Sequence, residues 1–328
     1  MIYQCKNCGG NVVYDPKRSA PYCSYCDSKE VPEKRSYVGD PNVCQSCGGE
    51  LKPGQSAIAL FCPYCDNSIL LENRMTGDFT PNLVIPFTHS KEMAVDLLRQ
   101  LCKKKVFTPS DFLSKTKLKD LRGEYVPFWL FDFGTKIFYE GEGKKVRVWR
   151  TMDVEYTETS HYRIVRDMNI GYEKIPADAS TTMQDDVMDL MEPYQYDKMA
   201  SFDPIFLSGF VGDHFHMGSQ EREPHANQKM RVSAEQLLKN TIAGYSSVRD
   251  IDKQIQVTDQ TPYFALLPVW VYAYSYKEKS YPFYINGQTG KVVGKVPVAT
   301  NKVIMYGITL YILLFLGLFL INYLINFF

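Results

Sequence analysis

The sequence holds little that would support catalysis by a familiar route. It has no Gly-x-x-x-x-Gly-Lys-Ser/Thr loop to cradle phosphates, and Gly209, Gly212 and Gly218 do not form a dinucleotide fingerprint. Gly-x-Ser-x-Gly and His-Glu-x-x-His are absent too, which excludes the hydrolase elbow and the common zinc-protease helix. Charge of one sign is also missing: 37 basic residues meet 37 acidic ones. Nothing in that balance favours a polyanion partner. Histidine is scarce, with His89, His161, His214, His216 and His225 making up the whole set of 5. His214 and His216 share a face if extended, where Asp213 or His225 could join them. A polar loop over Phe210–Ala226 is the simpler expectation. The 42 Tyr and Phe residues could suggest base stacking, but most lie in strand-like or membrane-like runs where packing explains them.

Cysteine, by contrast, is concentrated. Eight of the 9 cysteines lie in the first 65 residues as Cys-x-x-Cys pairs: Cys5/Cys8, Cys23/Cys26, Cys44/Cys47 and Cys62/Cys65. Fourteen residues separate the pairs within each half, and the halves repeat with a period of 39. Each Cys-x-x-Cys turn aims two thiolates at one point, and two turns across a hairpin supply the tetrahedral sulfur cage that zinc prefers. Gly9, Gly10, Gly48 and Gly49 suit the tight backbone of such turns. A disulfide framework is the rival; Met1-Ile2-Tyr3 leads into the first knuckle with no signal peptide, which favours a reducing compartment. A rubredoxin-like iron centre uses similar knuckles, so spacing alone leaves zinc and iron both open. Two Zn2+ ions, one per ribbon, are expected, and closure by four sulfurs makes them structural.

The expected architecture is two N-terminal four-cysteine zinc ribbons (1–35 and 36–75), an α+β body (83–298) with two Pro-x-Trp strand halves, and a C-terminal transmembrane helix (303–328). Lys29–Asn42, with Pro32, Gly39 and Pro41, reads as a linker. Residues 1–72 carry seven basic and eight acidic side chains, a poor footprint for DNA or RNA. In the body, a helix should start at Ser90 with Met93, Ala94, Leu97, Leu98, Leu101 and Cys102 on its apolar stripe. Cys102 there is a small packing residue rather than a nucleophile. Strands are expected at Tyr125–Phe133, Thr135–Tyr139, Lys145–Tyr156 and His161–Val165, with a turn at Gly141 and Gly143. Thr182 looks like a helix cap, and Asp185, Asp186 and Asp189 an acidic first turn that complements the dipole. A second helix should cover Ala234–Ile242, started by Ser233. Strands follow at Gln254–Val257 and Phe264–Tyr276, then a hairpin, Tyr281–Ile285 and Lys291–Val296, across Asn286-Gly287 and Thr289-Gly290. Val126-Pro127-Phe128-Trp129-Leu130-Phe131 is echoed 141 residues later by Leu267-Pro268-Val269-Trp270-Val271-Tyr272, which suggests two related α+β halves sharing one core.

Val303–Phe328 runs without a charge and is long enough to span a bilayer. Lys291, Lys295 and Lys302 precede it without an acid, which predicts a single-pass tail anchor with the bulk of the chain cytoplasmic.

With knuckles, Trp strands and anchor together, the chain resembles a family of membrane-anchored zinc-ribbon proteins of Firmicutes. That family is often labelled "TFIIB-type zinc ribbon" or, misleadingly, primosomal replication-factor-like. The resemblance rests on the CxxCGG…CPYC knuckles, on YVPFWLFD at Tyr125–Asp132, and on LPVWVYAYSYKEKSYPFYINGQTGKVVGKVP at Leu267–Pro297. It implies a non-enzymatic membrane protein that works in envelope stress beside SPFH-domain (flotillin-like) and PspA-like proteins and recruits them. Ile58-Ala59-Leu60-Phe61 would then serve as docking surface or pack between the ribbons. Two other readings stay open: a membrane-tethered nucleic-acid-binding ribbon protein, and an enzyme whose site includes Asp213, His214 and His216. No small-molecule substrate is evident.

Overall fold

A computed structural model of the chain describes residues 1–29, 31–35, 40, 42–112, 114, 118, 120–183 and 185–327. The first ribbon holds β1 (Ile2–Gln4), the hairpin β2 (Val12–Asp15) and β3 (Ala20–Cys23), and β4 (Glu33–Arg35). β4 returns antiparallel to β1, with Ile2 opposite Arg35, so part of the expected linker is strand. Gly39 and Pro41 of that linker lie outside the described residues. β5 (Ala57–Phe61) and β6 (Ser68–Leu70) form the hairpin of the second ribbon.

The body runs β7 (Leu83–Val84), α1 (Lys91–Lys103), β8 (Arg122–Thr151), β9 (Val154–Asp178), α2 (Asp185–Met191), β10 (Ala200–Ser201), β11 (Val211–Asp213), α3 (Ser219–Thr241), β12 (Ser247–Tyr276), β13 (Lys279–Asn286) and β14 (Val292–Gly294). α4 (Thr300–Phe327) ends the chain. One sheet of 10 strands unites the body with the second ribbon, in the order β10-β7-β12-β8-β11-β5-β6, with β9 on β8 and β13 on β12.

The Pro-x-Trp echo sits at the centre of this sheet. β8 and β12 pair antiparallel, and Val126 lies opposite Leu267, its own counterpart in the repeat. Pro127 lies opposite Leu266 and Tyr125 opposite Pro268, so the pairing has an approximate twofold axis. Around that axis β7-α1-β8-β9 is matched by β11-α3-β12-β13, and the two halves exchange their first strands. β7 runs parallel to β12, with Val84 opposite Leu266, while β11 runs parallel to β8, with Gly212 opposite Tyr125. The exchange extends to hydrogen bonds. Trp270 Nε1 donates to the His89 carbonyl and Trp129 Nε1 to the Met217 carbonyl, each at 2.9 Å. His89 and Met217 each immediately precede a helix N-cap, Ser90 of α1 and Gly218 of α3. The Ala179 amide donates to the Pro127 carbonyl at 3.0 Å and the Gly287 amide to the Pro268 carbonyl at 2.8 Å.

Several local expectations give way to this frame. Gly141 and Gly143 make no turn; β8 passes through both, and the chain reverses at Met152, which has φ 55°. A Cβ on Gly141 would stand 2.4 Å from the Tyr139 hydroxyl, and one on Gly143 would stand 2.6 Å from the Tyr245 ring. These glycines make room for rings, a use that the sequence does not distinguish from a turn. The strands expected within residues 125–151 are one strand, β8, while the expected Lys145–Tyr156 strand is split by the reversal at Met152, after which Val154 begins β9; the strands expected within residues 254–276 are again one strand. The helix begun at Ser233 starts at Ser219 instead, and the Ser233 hydroxyl donates to the Lys229 carbonyl at 3.1 Å. Pro224 and a polar N-terminal half hid the first turns. That polar half is paired rather than solvated: Arg222 meets Asp185 at 2.8 Å, and Lys229 meets Asp189 at 2.6 Å and Glu192 at 2.7 Å. The Thr182 hydroxyl lies 2.7 Å from that of Ser180, and Gln184, the residue that precedes α2, lies outside the described residues. The α1 expectation holds, with the Ser90 hydroxyl accepting from the Met93 amide and Ala94 and Leu98 buried.

β9 and β13 end on Asp178 and Asn286, related by the same twofold and both buried. Asn286 is satisfied: its Oδ1 accepts from the Gln288 and Thr289 amides, and its Nδ2 donates to the Met191 carbonyl. Asp178 Oδ1 accepts from the Ser180 amide, but Oδ2 has no partner. Burial pushes the Asp178 carboxyl up to about 7.

A group whose pKa is raised on folding costs stability as pH climbs from its unfolded value, near 4, towards 7. Asp178→Asn is therefore expected to stabilise the protein at pH 8 by on the order of a few kcal/mol. The gain should shrink below pH 7 and vanish near pH 4, as urea unfolding at each pH will show. Trp129→Phe and Trp270→Phe should each cost about 1–3 kcal/mol in the same assay, because each leaves a carbonyl unpaired beside the other half.

Candidate metal centres

Both cysteine quartets close into clusters. Cys5, Cys8, Cys23 and Cys26 form one and Cys44, Cys47, Cys62 and Cys65 the other, with all sulfurs of a set within 4.8 Å of one another. Sγ pairs stand at 3.5 Å (Cys5–Cys26), 3.6 Å (Cys8–Cys23), and 3.7 Å for both Cys44–Cys65 and Cys47–Cys62. A tetrahedral ion with metal–sulfur bonds near 2.3 Å needs sulfurs about 3.8 Å apart. The donor set therefore fits a four-coordinate metal, and two metal sites are consistent with two zinc ions.

The knuckles are built by the backbone. The amides of Gly9 and Gly48 donate to the carbonyls of Cys5 and Cys44, each at 2.8 Å. The amides of Asp27 and Asp66 close the partner turns onto Cys23 and Cys62 at 3.0 and 2.9 Å. Gly9 and Gly48 take positive φ, 73° and 76°, as the turn requires. Gly10 and Gly49 serve differently: a Cβ there would strike the ring of Tyr25 or Tyr64, at 2.6 and 2.4 Å. In the second knuckles Asp27 and Asp66 occupy the left-handed region, at 57° and 59°.

Electrostatics call for a cation. The amides of Cys8 and Asn7 hold the Cys5 thiol down to about 6. Burial pushes Cys62 up, but the amides of Cys65 and Tyr64 and the neighbouring thiols outweigh it and bring Cys62 to about 7. The Gly10 amide favours the Cys8 thiolate, yet charge on Cys26 and its neighbours carries Cys8 up to about 12. Burial and the other thiolates push Cys65 up to about 12. A set of four thiolates is thus held together only against its own repulsion, which a bound divalent ion cancels.

The ribbons touch each other and the body. The N-terminal ammonium of Met1 donates to the Leu70 carbonyl at 2.7 Å, and Ile2 is buried with Cys44, Leu51, Cys62, Ile69 and Leu71. Ser208 Oγ donates to the Val12 carbonyl at 2.6 Å, and Lys17 meets Glu92 at 3.0 Å. In the Ile58–Phe61 segment Leu60 and Phe61 are half-buried, Leu60 against the core that the two ribbons share, and Ile58 and Ala59 are fully buried where β5 pairs with β11. The signal for that was its unbroken apolarity, which suits a strand buried on both faces.

Among the described residues, no histidine joins a metal-binding cluster. His214 Nδ1 lies 2.8 Å from the Phe215 carbonyl, while His216 Nε2 lies 3.0 Å from the Ser56 hydroxyl. His225 rides on α3 and faces Asp189 at 3.3 Å. Cys102 is half-buried on α1, with its thiol pushed up by burial. α4 is long and apolar enough to cross a membrane.

Over 313 residues the chain is 39% identical to a Bacillus subtilis protein described as "Uncharacterized protein YdjG", covering 92% of each. No family model and no solved structure matches.

Cys62→Ala removes one of the two cysteines, with Cys44, that lie in the core shared by both ribbons. It is expected to halve the metal content, from two ions per chain to one, and to destabilise the first ribbon by a few kcal/mol as well. Elemental analysis beside thermal unfolding checks both; a variant that keeps both metals contradicts the assignment.

Proposed function

The chain belongs to the family of Bacillus subtilis YdjG, and on that footing we propose that it is a membrane-anchored zinc-ribbon adaptor. In this reading α4 spans the cell membrane once, the rest of the chain stands on the cytoplasmic face, and the protein carries out no catalysis. It gathers a protein partner of the SPFH (flotillin-like) or PspA-like class in envelope stress. Zinc is the proposed metal at both sites, where four thiolates leave no open position for a reacting water.

The observation that carries the reading is a repeated aromatic knob. Tyr25 and Tyr64 occupy the same position in the two ribbons and are 73% and 69% exposed. Each ring lies across a glycine, Gly10 or Gly49, on a backbone held by the metal. Rigid, exposed tyrosines are the side chains that protein interfaces most often use as anchors. The acidic balance of residues 1–72 disfavours a nucleic acid in the same role.

The double variant Tyr25→Ala/Tyr64→Ala is expected to keep both metals and the wild-type melting temperature while losing its partner. The test is affinity capture of the full chain from nuclease-treated, detergent-solubilised membranes. A stoichiometric SPFH or PspA-like protein, absent from the variant, supports the adaptor. Nucleic acid retained only when nuclease is omitted would replace this reading with a tethered nucleic-acid-binding ribbon protein.

A further inference from the structure

The long strands β9, β8 and β12 leave the central sheet as an arm with unpaired outer edges. β12 is broken along its edge by two register shifts, at Asp250/Asp252 and Val257/Asp259. Such bulges discourage further strand addition. β9 has no such defence: from Tyr172 to Val154 its pairing with β8 is continuous, and among the described residues no strand pairs with its other edge. Beyond Lys144, which faces Ser247 at the end of β12, the arm narrows to β8 and β9 alone.

The side chains near the tip are ordered in a way that solvation does not require. On one face Trp149 stacks on Tyr156 with centroids at 5.6 Å, and further along Tyr162 packs on Tyr245 at 5.6 Å. Tyr156 and Tyr162 remain 47% and 42% exposed. On the other face Arg150 lies opposite Glu155, and Arg163 pairs with Glu140 at 2.9 Å.

We propose that this edge is a self-association site, in which residues 154–164 of two copies of the chain pair antiparallel with Thr159 opposite Thr159. That register sets Tyr156 against Tyr162 of the second copy, joining Trp149, Tyr156 and Tyr162, with Tyr245 beside Gly143, into one aromatic row. Val154 meets Ile164. On the opposite face Glu155 meets Arg163, which makes an alternating row of Arg150, Glu155, Arg163 and Glu140. Every pair occurs twice through the twofold. Moving the register by one step in either direction, to Glu158 opposite Glu158 or to Ser160 opposite Ser160, creates a like-charge contact or loses the ion pairs. The occupant is a second copy because the edge is complementary to itself.

The test is independent of the adaptor reading. Full chain in detergent, loaded with both metals, is measured by light scattering over a concentration series. Wild type is expected to dimerise. Glu155→Arg and Arg163→Glu each place like charges together twice, and each should raise the dimer dissociation constant by about ten-fold or more. An equimolar mixture of the two variants restores opposite charges at both places and should dimerise as wild type does. Thr159→Cys supplies a check that does not rest on charge. Cα atoms across such a pair stand about 4.5–5.5 Å apart, within reach of a disulfide, so mild oxidation should link two chains, whereas Val165→Cys should not link. A wild type that stays monomeric, single variants that dimerise normally, a mixture that fails to pair, or an unlinked Thr159→Cys would each overturn the proposal.

Discussion

The antiparallel pairing of β8 with β12 is the constraint on which the rest of the structure depends. Each strand brings its own half's helix and hairpin to the axis, and each is flanked by the first strand of the other half. The two tryptophan bonds lock that exchange at the helix entrances, because each indole reaches a carbonyl that belongs to the opposite half. Neither half can therefore complete its sheet alone. The second ribbon joins the same cooperative unit through β5 on β11, and the first joins through Met1 and Val12. Metal binding is thereby coupled to the body's own stability.

Similar positions in the two halves have been put to different uses. Asn286 fills its buried corner with donors and acceptors matched, whereas Asp178 brings a carboxylate to the equivalent place and leaves one oxygen unpaired. α1 is a compact helix of 13 residues, while α3 has grown to 23 and carries Arg222 and Lys229 out to the acids on and just beyond α2. Asp185 and Asp189 suit a helix N-terminus, and they also tie α2 to α3.

What the sequence disclosed followed the range of the interactions involved. A Cys-x-x-Cys knuckle is made within a few residues, so the grouping of eight cysteines into two clusters was legible. α1 was legible from its cap and apolar stripe. The Pro-x-Trp echo announced two related halves, but the exchange of β7 and β11 pairs segments far apart in sequence, Gly212 with Tyr125 and Val84 with Leu266, and no local pattern encodes it. Gly141 and Gly143 misled because close approach of a ring and reversal of the chain favour the same residue. The ten-stranded sheet took Ile58 and Ala59 inside for a reason, the pairing with β11, that lies more than 150 residues downstream.

The continuity of β12 has a mechanical consequence. Its C-terminal end turns at Lys277, which donates to Thr300 at the start of α4, and its other end reaches the arm at Ser247. At about 3.3 Å per residue the strand provides a path approaching 100 Å between those ends. Tension applied along it loads the ladder to β8 in shear, with the hydrogen bonds from Ser247 to Val271 sharing the force instead of opening one at a time. Force applied along β12 would thus be spread over the whole ladder, and the strand can serve as a tie rod within the sheet.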